Sequence, residues 1–193
     1  MNISLENLSK KQIEIVTAPL GEVHVINEVL AGPGSGKTSV LTYRIAYLIA
    51  ALEIPAYQII AVTFTNKAAR EMTHRVESLM GDKANGLWIG TFHAICGRIL
   101  RREADHLPVD ANYVIYDADD QLALIKRVIQ ENVYNTKDYP PRQVLARISN
   151  AKNDLLGPDE YPLQNYRDET IKKIYAAYQQ YLVTSNAMDF DDM

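Results

Sequence analysis

Three glycines, a lysine and a threonine fall within the eight residues Ala31-Gly32-Pro33-Gly34-Ser35-Gly36-Lys37-Thr38. Glycines let a loop backbone curl until successive N–H groups face inward, where they meet phosphate oxygens. A helix that starts at the end of such a loop adds the positive end of its dipole. In this pattern Lys37 bridges β- and γ-phosphates, and the Thr38 hydroxyl is a ligand for Mg²⁺, a hard ion that prefers oxygen. The expected chemistry is the binding of a Mg-nucleoside triphosphate; the bland alternative is a glycine-rich turn with an exposed lysine. Ala31 stands where the strict pattern has glycine. Upstream, Gln12 closes Leu8-Ser9-Lys10-Lys11-Gln12. Its amide offers a donor and an acceptor, the pairing that reads the edge of adenine, although a plain surface glutamine fits the same residue.

Such a loop needs a strand before it and a helix after it. Val23-His24-Val25-Ile26 and Val29-Leu30-Ala31 supply strand-like runs, and Val40, Leu41, Ile45, Leu48, Ile49 and Leu52 recur at helical spacing. Asn27 and Glu28 interrupt what would be a buried central strand. Ile59 to Phe64 is a continuous apolar run suited to a buried parallel strand, followed by a helical face of Ala68, Ala69, Met72, Val76 and Leu79. Leu87 to Thr91 predicts a third strand, Phe92, Ile95, Cys96, Ile99 and Leu100 a third helix, and Tyr113 to Tyr116 a fourth strand that closes the α/β part. Beyond Asp117 the pattern is helical. Leu122, Ile125, Val128, Ile129 and Val133 form one stripe, with Asp117 or Asp119 placed to cap it. Pro140-Pro141 breaks the chain before a helix with Val144, Leu145 and Ile148, and turn signals precede a last helix with Ile171, Ile174, Tyr175, Tyr178 and Leu182.

Composition narrows the setting. The chain has 193 residues, a net charge of -4 and 47% hydrophobic content, enough for a core without covalent staples. Its single cysteine, Cys96, excludes an internal disulfide framework and multi-thiolate zinc sites, and favours a reducing, intracellular compartment. The longest apolar run, Ile45 to Leu52, is far short of the roughly 18 residues that span a bilayer, and no basic-then-apolar signal opens the chain. The slight acidity excludes histone-like global attraction to nucleic acid but not a local groove.

Several segments together resemble the superfamily 1 DNA helicases of the UvrD/Rep/PcrA type. They are Leu8 to Gln12, Leu30 to Thr38, Ala61 to Met72 with its Thr-Phe-Thr-Asn-Lys-Ala-Ala-Arg-Glu-Met run, Gly90 to His93, Tyr116 to Gln121, Ala151 to Asn153, and Asp189 to Asp192, in the family's order. The resemblance implies an α/β fold, a partial P-loop NTPase RecA-like parallel sheet with an inserted helical subdomain. Residues 1–113 would be most of the first RecA-like domain, 114–186 its helical insertion, and 187–193 the return to the first domain. It implies ATP and Mg²⁺ as cofactors, held by Gln12, Ala31, Gly32, Pro33, Gly34, Ser35, Gly36, Lys37, Thr38 and Ser39, with Lys37 and Thr38 catalytic and Thr38 on the metal. Close relatives often have arginine at the position of Ser39, which removes one expected contact to base or sugar.

In that family the segments Phe64-Thr65-Asn66-Lys67 and Thr91-Phe92-His93 line a channel for single-stranded DNA. The chemistry suits these residues. Phe64 offers a face on which a base stacks, Thr65, Asn66, Thr91 and His93 donate to phosphates, and Lys67 adds charge, so any base sequence is accepted. Alternatively Phe64 and Phe92 are core residues, and His93 braces a helix. The Asp117/Asp119/Asp120 and Asp189/Asp191/Asp192 clusters fit either a two-metal nuclease or, more simply, helix caps and solvated acidic turns. The implied parent is an ATP-dependent DNA helicase and translocase of 3′ to 5′ polarity in DNA repair or replication, cytoplasmic and nucleoid-associated, acting on single strands and duplex junctions. Its alternatives are the helicase subunit of a helicase-nuclease, or a nucleotide-gated binding module without turnover. Family members carry an Asp-Glu pair on Mg²⁺ and a second RecA-like domain with arginine fingers. Neither is found in these residues, so the resemblance implies an N-terminal part that is inactive alone.

Overall fold

The computed structural model describes residues 3–21 and 28–193; the expected strand Val23 to Ile26 lies outside them. The chain divides into two compact units, residues 1–95 and 96–193.

The first unit opens with α1 (Lys10–Val16), capped by Ser9, whose hydroxyl accepts from the Gln12 N–H while the Gln12 side chain accepts from the Ser9 N–H. Helix α2 (Lys37–Ala50) starts directly at Gly36, which sits in the left-handed region at φ 81°. Strand β1 (Ile60–Thr63), helix α3 (Asn66–Met80) and strand β2 (Trp88–Thr91) form a β-α-β unit. β1 and β2 pair in parallel, from Ile60 opposite Trp88 to Thr63 opposite Thr91. Ile45, Ala46 and Ile49 of α2 pack with Ala61 of β1 and Met72, Val76 and Met80 of α3 in one core cluster. That burial drives the assembly, because neither a four-residue strand nor a single helix hides enough apolar surface alone. Helix α4 (Phe92–Arg102) follows β2 without a loop.

The second unit is mainly helical: α5 (Ala118–Glu131), α6 (Pro141–Asn153) and α7 (Tyr166–Thr184), with strands β3 (Val114–Tyr116) and β4 (Ala187–Asp189). Ile125, Val128, Ile129, Val144, Ile148, Ile174, Tyr178 and Leu182 form its core. Pro141 occupies the first turn of α6, where its missing N–H costs nothing. Asn165 caps α7 together with Asp168.

Three expectations change. Val29-Leu30-Ala31 is not a strand: residues 28–31 are irregular, and Leu30 is 90% exposed. The polar Glu28 and the nearby Pro33 suit no buried ladder, and among the described residues no strand pairs with this segment. The strand at Val114 does not extend the β1–β2 sheet; it pairs in parallel with β4, Tyr116 opposite Asp189. Val133 is not on the α5 stripe. The helix ends at Glu131, and Val133 is 90% exposed at φ 58°, in a turn where Tyr134 N–H donates to Ile129 O and Val133 N–H to Gln130 O.

Candidate functional site

The glycine-rich loop owes its shape to two residues. Gly34 and Gly36 both have φ in the left-handed region, at 75° and 81°, where a side chain is strained, and a Cβ on Gly36 would meet Gln12 Nε2 at 2.9 Å. Because Gly36 has no side chain, the N-terminus of α2 carries no side-chain cap, and its first N–H groups lack intrahelical partners. The Lys37 ammonium donates to Ala31 O at 2.9 Å and Gly32 O at 2.7 Å, and Ser35 Oγ donates to Gly32 O at 2.7 Å. An open helix N-terminus beside an exposed lysine is the donor set that a polyphosphate requires.

A cavity of about 660 Å³ opens beside this loop, lined among others by Gln12, Ile15, Leu30, Ala31, Gly32, Ser35, Lys37, Leu41 and Arg44. Its mixture of apolar walls and a few convergent polar groups suits a small-molecule ligand. Gln12 reaches it from α1, and its Nε2 donates to Ser35 O at 3.2 Å. Pro33, Gly34, Gly36 and Thr38 belong to the loop but do not line the cavity. Ser39 lines a different groove, with Thr42, Tyr43 and His74. Sequence reasoning did not single out Arg44, whose Nη1 donates to Val16 O at 2.7 Å and Ala18 O at 2.5 Å. Among the described residues that line the cavity none is acidic.

The parallel register explains the second cluster. Because Thr63 lies opposite Thr91, the residues that follow, Phe64 and Phe92, emerge side by side at the C-terminal ends of their strands. Their rings meet edge to face, centroids 6.4 Å apart. Phe64 is 93% exposed and Phe92 57%, so neither is a core residue. Asn66, Lys67 and His93 are exposed on the first turns of α3 and α4. Thr65 Oγ1 accepts from the Ala68 N–H and Thr91 Oγ1 from the Ala94 N–H, so both threonines cap helices while each hydroxyl keeps its own proton to donate. Two helix N-termini, a lysine and two exposed aromatics therefore share one face.

The acidic clusters are structural. Asp117 and Asp120 form a capping box on α5. Asp189 is not a solvated acid: it is buried, and its Oδ2 accepts from Lys152 Nζ at 2.8 Å and from the Tyr178 hydroxyl at 2.7 Å. Lys152 also donates to Asp192 Oδ1 at 2.8 Å. Burial pushes the Asp189 carboxyl upward, but the Lys152 ammonium and the hydrogen bonds from Lys152 and Tyr178 outweigh it and hold it below the usual carboxylate range. Asp192 goes the other way, raised by burial and by the Asp189 charge against the pull of Lys152. The Tyr178 phenol is pushed up by burial and by Asp189. Among the described residues no group of three or more His, Cys, Asp or Glu side chains is arranged to hold a metal ion. The signal for this network was present: Lys152 continues the stripe of Val144 and Ile148 at a spacing of four, where a lysine must be buried and paired.

A glycine-rich loop that opens a helix, beside short parallel strands, defines a mixed α/β protein. Residues 8–193 match the UvrD/REP helicase N-terminal domain, and the chain belongs to that family. It is 47% identical over 167 residues to the ATP-dependent DNA helicase PcrA of Bacillus subtilis (strain 168), covering 86% of this chain and 23% of that protein. It is 41% identical over 195 aligned residues to the ATP-dependent DNA helicase PcrA of Staphylococcus aureus (strain Mu50 / ATCC 700699), covering 100% of this chain and 26% of that protein. The protein of the same name from Staphylococcus epidermidis is 40% identical over the same span. The chain thus spans about a quarter of the length of the curated relatives it matches. Among the described residues no helix is long and apolar enough to cross a membrane.

Proposed function

We propose that this chain is the ATP-binding and single-stranded-DNA-binding part of an ATP-dependent DNA helicase and translocase that moves 3′ to 5′ and serves DNA repair or replication in the cytoplasm, at the nucleoid. Residues 1–113 belong in this reading to a RecA-like domain, 114–186 to its helical insertion, and 187–193 to the return into the first domain. The observation that carries it is the uncapped N-terminus of α2 at Gly36, with Lys37 next to it and the cavity containing Gln12 alongside. Mg-ATP supplies, when bound, the phosphoanhydride whose cleavage drives movement. Backbone N–H groups of residues 34–38 and the Lys37 ammonium hold its phosphates, the Thr38 hydroxyl serves the metal, and the amide of Gln12 reads the base. Among the described residues no carboxylate lines the cavity, so in this reading activation of water falls to groups outside it.

Phe64, with Phe92 packed against its edge, stacks on a base, while Asn66, Lys67, Thr65, Thr91 and His93 hold the backbone. In this reading strands β1 and β2 join the two functions, since α2, α3 and β1 share one apolar core and Phe64 follows β1. Strand displacement by the helicase that carries this chain tests the reading. Partial duplexes with a 3′ single-stranded tail should be separated in an ATP-dependent manner and those with a 5′ tail left intact. Unwinding without ATP, or only from 5′ tails, would contradict it.

A further inference from the structure

Helix α1 carries Gln12 but has only seven residues. A helix that short is not stable alone in water, so the position of Gln12 depends on what holds α1 in place. Two ties bind it to the loop and the helix behind the loop. At one end Gln12 itself donates to Ser35 O. At the other, Arg44 of α2 donates through Nη1 to Val16 O at 2.7 Å and to Ala18 O at 2.5 Å. Those carbonyls lie at and just past the C-terminal end of α1, where the helix dipole is negative and the carbonyls lack intrahelical partners. Leu8, Val16 and Val40 add only a small apolar cluster between the helices, with Ile13, Ile15, Tyr43 and Tyr47 packed around it. Arg44 lines the same cavity as Gln12, and Ser39 does not.

We propose that Arg44 is a positioning residue for base recognition: by fixing the C-terminal end of α1 to the phosphate-loop helix it sets where the Gln12 amide stands, and so sets the preference for adenine over other bases. This rests on the reading of the cavity as a nucleotide site. The phosphates are not affected, because Lys37 and the loop belong to α2 and its N-terminus, on the other side of the tie. Among the described residues that line the cavity, the other polar side chains, Ser9, Lys11, Gln12, Ser35 and Lys37, come from α1, its cap, the loop or the first residue of α2.

The test is equilibrium binding of fluorescent ATP and fluorescent GTP, with Mg²⁺, to the 193-residue chain. Four proteins are compared: wild type, Arg44→Met, Arg44→Lys and Gln12→Ala, each with its circular dichroism and thermal midpoint. Wild type should prefer ATP. Arg44→Met, which keeps length and loses the donors, should lower the ATP-over-GTP ratio by about tenfold, the loss expected when one hydrogen-bonding group leaves a binding site. Inorganic tripolyphosphate should compete equally well against wild type and Arg44→Met. Arg44→Lys, which can still donate to a carbonyl, should recover part of the ratio even if Arg44→Met folds poorly. Adding Arg44→Met to Gln12→Ala should reduce the ratio no further, because both act through one amide. A wild-type preference for ATP that persists in both Arg44 variants overturns the inference and leaves the nucleotide site standing. Failure of wild type to bind either nucleotide overturns the functional reading, and the inference with it.

Discussion

Phe64 is where residue chemistry is most exposed to test. At 93% exposure its ring contributes almost nothing to the core, so Phe64→Ala should change folding stability by less than about 0.5 kcal/mol. Its effect should appear on oligonucleotides instead, weakening single-strand binding by about 1–3 kcal/mol with little dependence on base sequence. Fluorescence anisotropy at one stated salt concentration, beside a denaturant midpoint, separates the two. A loss of several kcal/mol in stability with unchanged affinity would return Phe64 to the core. The aromatic site was legible in the sequence because a continuous apolar run ending in Thr-Phe-Thr-Asn-Lys announces a strand end. Which way Phe64 turned was not. Its exposure depends on the register that places Thr63 opposite Thr91, a pairing across 28 positions that no local pattern reports. Gln12 was legible only as a donor and acceptor; that its Nε2 meets Ser35 O follows from packing of α1 on α2.

At the level of elements, the second unit depends on the buried group that joins α6, α7 and β4. Lys152→Met would leave Asp189 buried beside Asp192 without its cation. Removing one partner of a buried pair costs about 3–5 kcal/mol, to be read as a drop in the denaturant midpoint. An unchanged midpoint would show that the network is not structural. The same helices predict an alkaline limit. Burial first, and then the carboxylates of Asp192, Asp189 and Asp191, push the Tyr175 phenol from 10.0 up to about 12. A folded-state value above the unfolded one means that the neutral phenol stabilises the fold fully below pH 10. That contribution is lost as pH rises from about 10 through about 12. Tyr178, also raised, acts in the same direction. Urea melts should therefore show stability falling across that window, with a shallower fall in Tyr175→Phe; identical slopes would refute the assignment. In the acid range Asp189 and Asp192 shift in opposite directions, while Asp168 is held low. Burial works against its charged form, but N–H groups of Gln164 and Asn165 and the Arg147 guanidinium hold it low, so stability falls as pH drops through its folded value. The helices of this unit were plain from periodicity. Strand β3 was read from Tyr113 to Tyr116, but its pairing with β4 was not, because the two are separated by three helices and no local pattern reports the partner. Val133 misled for the opposite reason: it continues the apolar stripe in sequence while the chain has already turned at Asn132.

For the whole chain, a net charge of -4 leaves no broad attraction to DNA, so in the proposed reading affinity for single strands comes from the local face around Lys67 and should fall with added salt by a small number of released counterions. Among the described residues no acidic side chain lines the loop cavity, so in the proposed reading the chain should hold Mg-ATP yet turn it over far more slowly than the roughly one per second of a competent enzyme, with or without single-stranded DNA. Phosphate release near that rate would show that a catalytic carboxylate is closer than the cavity indicates. Whether residues 31–38 bind the phosphates of ATP is decided by titrating a fluorescent non-hydrolysable ATP analogue, with Mg²⁺, into wild type and Lys37→Ala. Because Lys37 is exposed and donates to the loop carbonyls of Ala31 and Gly32, the substitution should leave the melting midpoint unchanged while lowering nucleotide affinity at least about tenfold, the loss of one charge-assisted contact. Equal affinity in two equally folded proteins would contradict the assignment of the loop.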